Sequence, residues 1–245
     1  MNSRNFYDES SYAIAFDRIF CLNTPANRFS NGLEVVKIND FLKPKSVIMD
    51  IGAGTGRLSI PLMKRSNGGH EIIAIEPSSA MVNMLQNKVI NNKLVRKFTC
   101  HSDKINTLIL DEQVDMAIAL FMVLNMITEY DELLLLFQKV KYHLKENGFF
   151  MIDFISDFRP FKKYAYHTNG VVFEGNVTAV TQNKYLWRES IENFIDKTGR
   201  VKIETTLRKW TKKEITNTAM KVGLTVIIDD LLIRGGYNGM VFQNI

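Results

Sequence analysis

Two periods alternate along most of the chain. Short apolar runs at 47–51, 71–75, 97–100, 114–120 and 149–154 have the near-continuous hydrophobicity of strands buried on both faces. Helical spacing fills the gaps: Leu58, Ile60, Leu62 and Met63 over 57–66, a segment opening at Pro77-Ser78-Ser79, and Asp131–Leu144 with Leu134, Leu135, Val140 and Leu144 inward. Turns fall at 66–69 and at Lys145-Glu146-Asn147-Gly148. Strand and helix in alternation predict a doubly wound α/β sheet with the 114–120 strand near its centre. Leu224–Asp229 supplies a sixth strand and Tyr237–Ile245 a seventh, paired antiparallel.

Residues 1–45 carry no strand pattern and read as a helical N-terminal cap. Tyr7, Tyr12, Phe16 and Phe20 recur at roughly helical spacing, and Asn23-Thr24-Pro25 interrupts them. A second helix is expected from Asn27 to Leu42, with Leu33, Val36 and Phe41 inward and Pro44 ending it. The core unit covers 46–155. Over 156–209 helical periodicity disappears. Val171–Phe173, Val177–Thr181, Tyr185–Phe194 and Val201–Lys209 read as strands, with turns at Gln182-Asn183 and Lys197-Thr198-Gly199. This is an antiparallel insertion between strands five and six, expected to lie over the rim as a substrate lid. Residues 210–245 complete the core. Their helix starts with a capping box, Thr211 at the N-cap and Glu214 three residues on, and ends at Gly223.

Composition narrows the class without choosing a function. The 245 residues suffice for one large domain, and 46% hydrophobic with 23% charged residues is ordinary for a soluble protein. No apolar run approaches a membrane span, and the first residues lack the form of a secretory signal. Cys21 and Cys100 are the only cysteines, which favours reduced thiols and a cytoplasmic setting over a disulfide or metal site. A net charge of +5 permits nucleic-acid contact. Its densest basic group, Lys197–Lys213, is interleaved with Asp196, Glu204 and Glu214, so a solvated face is the simpler reading. A homodimer is compatible with the chain, and no metal is expected.

The candidate chemistry sits at VIMDIGAGTGRLSI, residues 47–60. Gly52, Gly54 and Gly56 follow a strand that ends in Asp50, and a helix follows them. Glycines let a backbone approach a ligand and take positive φ, and a helix start offers free N–H groups. The dinucleotide fingerprint does not fit: the third glycine comes one residue early and Arg57 fills its slot. The Gly-Lys-Ser/Thr of a phosphate loop is absent. Asp50 suits a ligand with an ammonium group better than a pyrophosphate. A tight turn with no ligand is the bland alternative, and it needs fewer glycines.

The spacing D-x-G-x-G-x-G resembles motif I of the class I S-adenosylmethionine (AdoMet) methyltransferases. Glu76, closing the second strand, stands where a doubly wound fold grips a ribose, and Glu76-Pro77-Ser78-Ser79-Ala80-Met81 is similar to the family's acid followed by D/P-x-S-x-x-M. FMVLNMIT, residues 121–128, resembles a stretch of the small-molecule methyltransferases, and the Pro-Pro-aromatic loop of base-methylating enzymes is missing. The insertion resembles the small extra sheet of methyltransferases acting on nucleotide-linked sugars and on glycine. The likeness covers about residues 45–155 and, more loosely, 210–230.

The resemblance implies a Rossmann-like, seven-stranded, mostly parallel sheet that binds AdoMet and releases S-adenosyl-L-homocysteine. The implied cofactor residues are Tyr12, Arg28, Asp50, Gly52, Ala53, Gly54, Gly56, Glu76, Pro77, Met81, Ser102, Asp103, Leu120 and Phe121. Among them Met81 lies against the adenine, Asp103 (or Ser102) takes its amino group, Phe121 flanks the sulfonium and Arg28 holds the methionine carboxylate. Asp103 as a simple turn cap and Arg28 as a solvated residue remain open. The implied reaction moves a methyl group to oxygen or nitrogen of a polar small molecule, a sugar or sugar nucleotide among them. A hydroxyl acceptor needs a base; His167 leads, ahead of Asp153, Asp157, Tyr166 and Glu174, and Asn125 either orients the acceptor or caps the next helix. The alternatives are an RNA or protein methyltransferase and a catalytically silent AdoMet-binding module.

Overall fold

β1 (Val47–Ile51) lies between β2 (Glu71–Ile75) and β4 (Val114–Ala119), parallel to both. β3 (Phe98–His101) adds outside β2, and β5 (Leu144–Phe154) adds outside β4. β11 (Asn238–Gln243) pairs antiparallel with β5 and with β10 (Thr225–Leu231), so the sheet runs β10-β11-β5-β4-β1-β2-β3. In this computed structural model the described residues are 10–21, 25–66, 69–168, 170–193, 200–232 and 234–245. Tyr7 and the turns read at 23–24, at 67–68 and at 197–199 fall outside them.

The strands sort their side chains by alternation, as the pleat requires. Met49, Ile51, Ile73, Ile75, Ala117 and Ala119 point to one face, where α6 (Tyr130–His143) and α7 (Lys212–Lys221) cover them with Leu133, Phe137, Ile215 and Ala219. Ile48, Ile72, Ala74, Met116 and Ile118 point to the other, under α2 (Pro25–Asn39), α3 (Ser59–Arg65) and α4 (Ser79–Asn91). Both faces are apolar because both are covered, which is why these strands read as continuous runs. The order of the sheet turns over between β1 and β4, and a doubly wound sheet opens its ligand crevice at the carboxyl ends there.

Between β5 and α7 the chain builds a second, antiparallel sheet in the order β6-β7-β8-β9: Tyr164–Thr168, Val171–Ala179, Lys184–Asn193 and Arg200–Arg208. Two details depart from the sequence reading. β6 is an extra strand whose run Tyr-Ala-Tyr-His-Thr has little apolar signal, and β7 continues through Gly175-Asn176, where the sequence pattern breaks. Gly175 is a glycine for a packing reason: a Cβ there would collide with the Tyr164 hydroxyl that crosses it from β6. Val171, Phe173, Ile191 and Ile203 of this sheet pack on Tyr12, Ala13 and Ile19 of the cap: α1 (Ser10–Phe16) and the π-helical turn Asp17–Cys21.

Two inward assignments also change. Val36 is exposed while Val35 and Ile38 are buried, and Leu135 is exposed while Leu133 and Leu136 are buried. Each is a phase error of one residue on a helix whose apolar face is broad. Residues 145–148 form a bulge inside β5: the β4 register slips from Val114↔Leu144 to Met116↔Phe149. Asn244 pins it, donating through Nδ2 to the carbonyls of Leu144 and Lys145 at 2.9 Å.

The capping box of α7 is present, with Thr211 accepting from the Glu214 amide at 3.1 Å and Glu214 accepting from the Thr211 amide at 2.9 Å. Thr211→Ala removes half of it and costs about 1 kcal/mol, which lowers the melting temperature by about 2–4 °C in a domain of this size; an unchanged melt would mean that packing alone fixes the start of α7.

Candidate active site

The chain leaves β1 through three glycines with φ of 71°, 55° and 84° at Gly52, Gly54 and Gly56. The amides of Gly52 and Ala53 donate to the Ile75 carbonyl at 2.8 and 3.2 Å, which holds the turn against the end of β2. The glycines serve different ends. A Cβ at Gly52 would meet Val123 Cγ2 at 2.6 Å and one at Gly56 would meet Leu85 Cδ1 at 2.5 Å, so both allow close packing. A Cβ at Gly54 would meet only Phe16, at 3.8 Å, and Gly54 lines an open cleft.

That cleft has a volume of about 840 Å³ and is walled by Phe16, Asp50, Gly52, Ala53, Gly54, Glu76, Pro77, Met81, Asp103, Leu120 and Phe121, among others. These residues come from the glycine turn, the ends of β1, β2, β3 and β4, the start of α4 and the cap, converging where the sheet order reverses. Glu76 is buried and bridges two segments: one carboxylate oxygen accepts from the Gly54 amide at 2.9 Å, the other from the Ser78 amide at 2.9 Å. Asp50 is buried beside it and accepts from Ser59 Oγ at 2.5 Å. Burial pushes its carboxyl up to about 6, against the pull of the Ser59 hydroxyl and the Arg57 charge. Among the described residues no ion pair neutralises Asp50.

Beyond β4, Phe121 and Met122 both have φ of 70°, an uncommon state for residues with a Cβ. Asp153, fully buried at the end of β5, holds them there. Its two oxygens accept from the Phe121 amide at 2.9 Å and the Met122 amide at 3.1 Å. Burial pushes this carboxyl up to about 7 although both amides work to lower it. The Phe121 ring stands 4.8 Å from the Arg57 guanidinium and 4.9 Å from that of Arg234, within cation–π range of both. Both arginines bond Glu34 and Asn31 of α2; Arg234 reaches them at 2.9 and 2.6 Å. Burial opposes the charge of Arg57, and Glu34 more than restores it.

A second set of bonds ties the cap to the turn. Thr55 Oγ1 donates to Asp17 at 2.7 Å, and Lys88 of α4 bonds both Asp17 and the Thr55 carbonyl. Cys21 lies 3.2 Å from the Thr55 hydroxyl, with its thiol pushed up to about 12 by burial. These partners are 33 to 71 residues apart in sequence, and no local pattern announces them.

The sequence-derived candidates are distributed unevenly around this cleft. Asp50, Gly52, Ala53, Gly54, Glu76, Pro77, Met81, Asp103, Leu120 and Phe121 line it. Gly56 does not; it packs on Leu85 and Ile60 beneath. Tyr12 packs with Ala80 and Met81 one layer behind the wall, and Phe16 of the same helix takes the wall position. Ser102 is exposed off the lining, and the side chain of Arg28 lies outside the described residues. None of the catalytic candidates lines the cleft. Asn125 is fully buried, donating to the Ile155 and Arg208 carbonyls at 3.0 and 2.8 Å and accepting from the Ile155 amide at 2.8 Å, so it clamps backbone and both of its amide hydrogens are committed. His167 is an exposed β6 residue paired in register with Val172, and it does not line the cleft. Asp153 is spent on the Phe121–Met122 turn.

The residues present fit an AdoMet-sized cation. The cleft volume suits a nucleoside, Gly54 keeps clear the space that a side chain would enter, Met81 and Pro77 give an apolar wall, and Asp50 lines the cleft with no ion pair among the described residues. Residues 48–148 match the family model of a methyltransferase domain. No curated protein sequence matches the chain. Among solved structures, an S-adenosylmethionine-dependent methyltransferase from Clostridium acetobutylicum is similar over 95% of this chain and 97% of that one, at TM-score 0.75 and 17% identity. An amino pentose methyltransferase of Micromonospora echinaspora, bound to its cofactor, covers 96% and 97% at TM-score 0.69 and 14% identity. A sugar N-methyltransferase of a Streptoalloteichus species covers 97% and 93% at TM-score 0.72 and 13% identity. At these identities the likeness is one of fold.

The two kinds of glycine predict different penalties. Gly54→Ala costs about 1–2 kcal/mol for a side chain at positive φ. Gly56→Ala costs that and a further 1–3 kcal/mol or so for the overlap with Leu85. Urea denaturation separates them, and equal losses would show that the space under Gly56 is looser than the geometry indicates.

Proposed function

We propose that this chain, with its methyltransferase domain at 48–148, transfers the methyl group of AdoMet to a nitrogen or oxygen of a polar small molecule, a sugar or sugar nucleotide being the leading class. The carrying observation is the meeting of the Gly54 amide with the Glu76 carboxylate at the mouth of one cleft. Glu76 holds ribose hydroxyls, Met81 and Pro77 hold the adenine, and Asp103 accepts from its amino group. Asp50 neutralises the methionine ammonium. Phe16 and Phe121, which line the cleft, would give the sulfonium an aromatic border. AdoMet, when bound, supplies a methyl electrophile to a nucleophile held in line with it, and such positioning provides much of the rate. The antiparallel sheet β6–β9 acts as a lid that keeps water from the reacting atoms, with 1–45 as the cap, 46–155 as the cofactor core and 210–245 as its completion.

A small acceptor is supported over a nucleic acid by how the insertion spends its charge. Arg188 pairs with Glu204 at 2.6 Å, Arg200 with Glu174 at 2.8 Å and Lys184 with Glu129 at 2.6 Å. Charges so paired make a mixed surface and not a basic track for phosphates. None of the described helices is long and apolar enough to cross a membrane. Fold neighbours that act on amino sugars agree with a polar acceptor.

Calorimetry and a labelled-methyl assay test the reading. AdoMet and S-adenosyl-L-homocysteine bind the wild type, Glu76→Ala abolishes binding with the fold intact, and label passes to nucleotide-sugars or amino sugars. Binding of NAD or ATP in place of AdoMet, or labelling of RNA or protein alone, would overturn it.

A pH dependence follows from Asp50. Its carboxyl, raised to about 6, holds a proton in the free protein below that pH. An ammonium ligand needs the ionised form, so the proton must leave on binding. AdoMet affinity therefore rises with pH up to about 6 and levels off above, and Asp50→Asn binds weakly with no such slope; a flat wild-type profile would remove Asp50 from the site.

A further inference from the structure

Glu189 is the buried acid that the cofactor site does not use. It sits in the middle of the inserted sheet, on the face shared with Phe173, Ile191 and Ile203, and is 5% exposed. Across Gly175 the Tyr164 hydroxyl donates to its Oε1, and the Tyr164 oxygen in turn accepts from the Trp187 indole N–H. That order fixes the direction of the protons: Trp187 gives to Tyr164, and Tyr164 gives to Glu189. Oε1 is thus an acceptor in this chain of bonds, and Oε2 receives no hydrogen bond from any described residue.

Gly175 makes the arrangement possible. It lies between Tyr164 and Glu189 in the strand register and carries no side chain, so the tyrosine reaches over it. Beside the pair is a cavity of about 1010 Å³ bordered by Phe158, Tyr164, Val177, Tyr185, Glu189 and Ile203. Glu204 of β9 lines this cavity and the cofactor cleft alike, and Thr205, opposite Trp187 in the register, lines the cleft. The two spaces therefore adjoin across β9.

The arginines that border the cavity are paired, Arg188 with Glu204, Arg200 with Glu174 and Arg159 with Asp157, and Lys162, Lys163 and Lys202 are exposed on the same border with no ion pair among the described residues. Burial pushes the Glu189 carboxyl up to about 8, only partly offset by Tyr164, and no lysine or arginine contributes. A glutamine would accept from Tyr164 equally well and avoid the cost of a buried acid. What a carboxyl alone adds is an ionisable oxygen turned to a cavity beside the cleft.

We propose that Glu189, oriented by Tyr164, is the subsite for a protonated amine on the acceptor, so that the lid selects small polar molecules bearing a primary or secondary ammonium group. This rests on the methyl-transfer reading, with the acceptor entering between lid and cleft. Glu189 is a binding residue here, and Tyr164 a positioning residue that acts through it.

The test compares propylammonium chloride with 1-propanol, which share size and differ in charge, by ligand-observed NMR at fixed ionic strength. Wild type binds propylammonium more tightly than propanol by roughly tenfold or more, as for a buried charge pair. Glu189→Gln, which keeps the bond from Tyr164, erases that preference, and Tyr164→Phe reduces it. AdoMet calorimetry on each variant runs alongside, and unchanged affinity certifies the fold. No preference in the wild type, or a preference surviving in Glu189→Gln, overturns the subsite. Loss of AdoMet binding by the wild type itself would instead sink the methyl-transfer reading, so the two failures are distinguishable.

Discussion

A buried carboxylate that accepts two backbone N–H groups occurs on each side of the switch point, and the cleft depends on the pair. Glu76 takes the amides of Gly54 and Ser78; Asp153 takes those of Phe121 and Met122. Each grips a segment that leaves a strand end in positive-φ backbone, where amides point inward and side chains are forced apart. Positive φ at Phe121 and Met122 costs about 1–2 kcal/mol per residue. Two hydrogen bonds to a charged acceptor supply a comparable amount, about 1.5–3 kcal/mol each. The rim is therefore held open by local bonds rather than by the sheet alone.

The two grips differ in what they leave for chemistry. Glu76 stands at the cleft wall, where a ligand can meet it. Asp153 is sealed under Phe121, so its part is to present a ring. That ring then gathers Arg57 and Arg234, which share Glu34 and Asn31. Cap, glycine turn, fourth strand end and C-terminal loop thus meet at one aromatic side chain. Two cations over one ring share a single glutamate, and the Arg57 charge works against the burial that raises the carboxyls of Asp50 and Asp153.

What the sequence showed and what it hid divide by distance along the chain. The glycine turn, Glu76 with Ser78, and the Thr211–Glu214 box are local, each complete within a few residues, and their spacing carries their geometry. The strands of the main sheet were legible because both faces are covered. Arg234 and Glu34 are 200 residues apart, and nothing near either names the other. β6 was hidden because its residues pair with β7 but bury little, and that error placed His167 in a loop at the lid's opening when it is an exposed strand residue. Asn125 could be read as an acceptor-orienting residue or a helix cap, and its long-range partners were hidden: its polar groups bond the backbone of Ile155 and Arg208, which fastens the loop after β4 to the exit of the inserted sheet.

That fastening bears on how the lid works. Asn125 and the Trp210 indole, which donates to the Leu124 carbonyl at 2.8 Å, both tie the β9 end of the insertion to α5 (Val123–Met126). α5 follows directly on the Phe121–Met122 turn. β9 therefore cannot shift without pulling on the loop that carries Phe121. The inserted sheet is thus fixed, along the strand that borders the cleft, to the loop that follows β4.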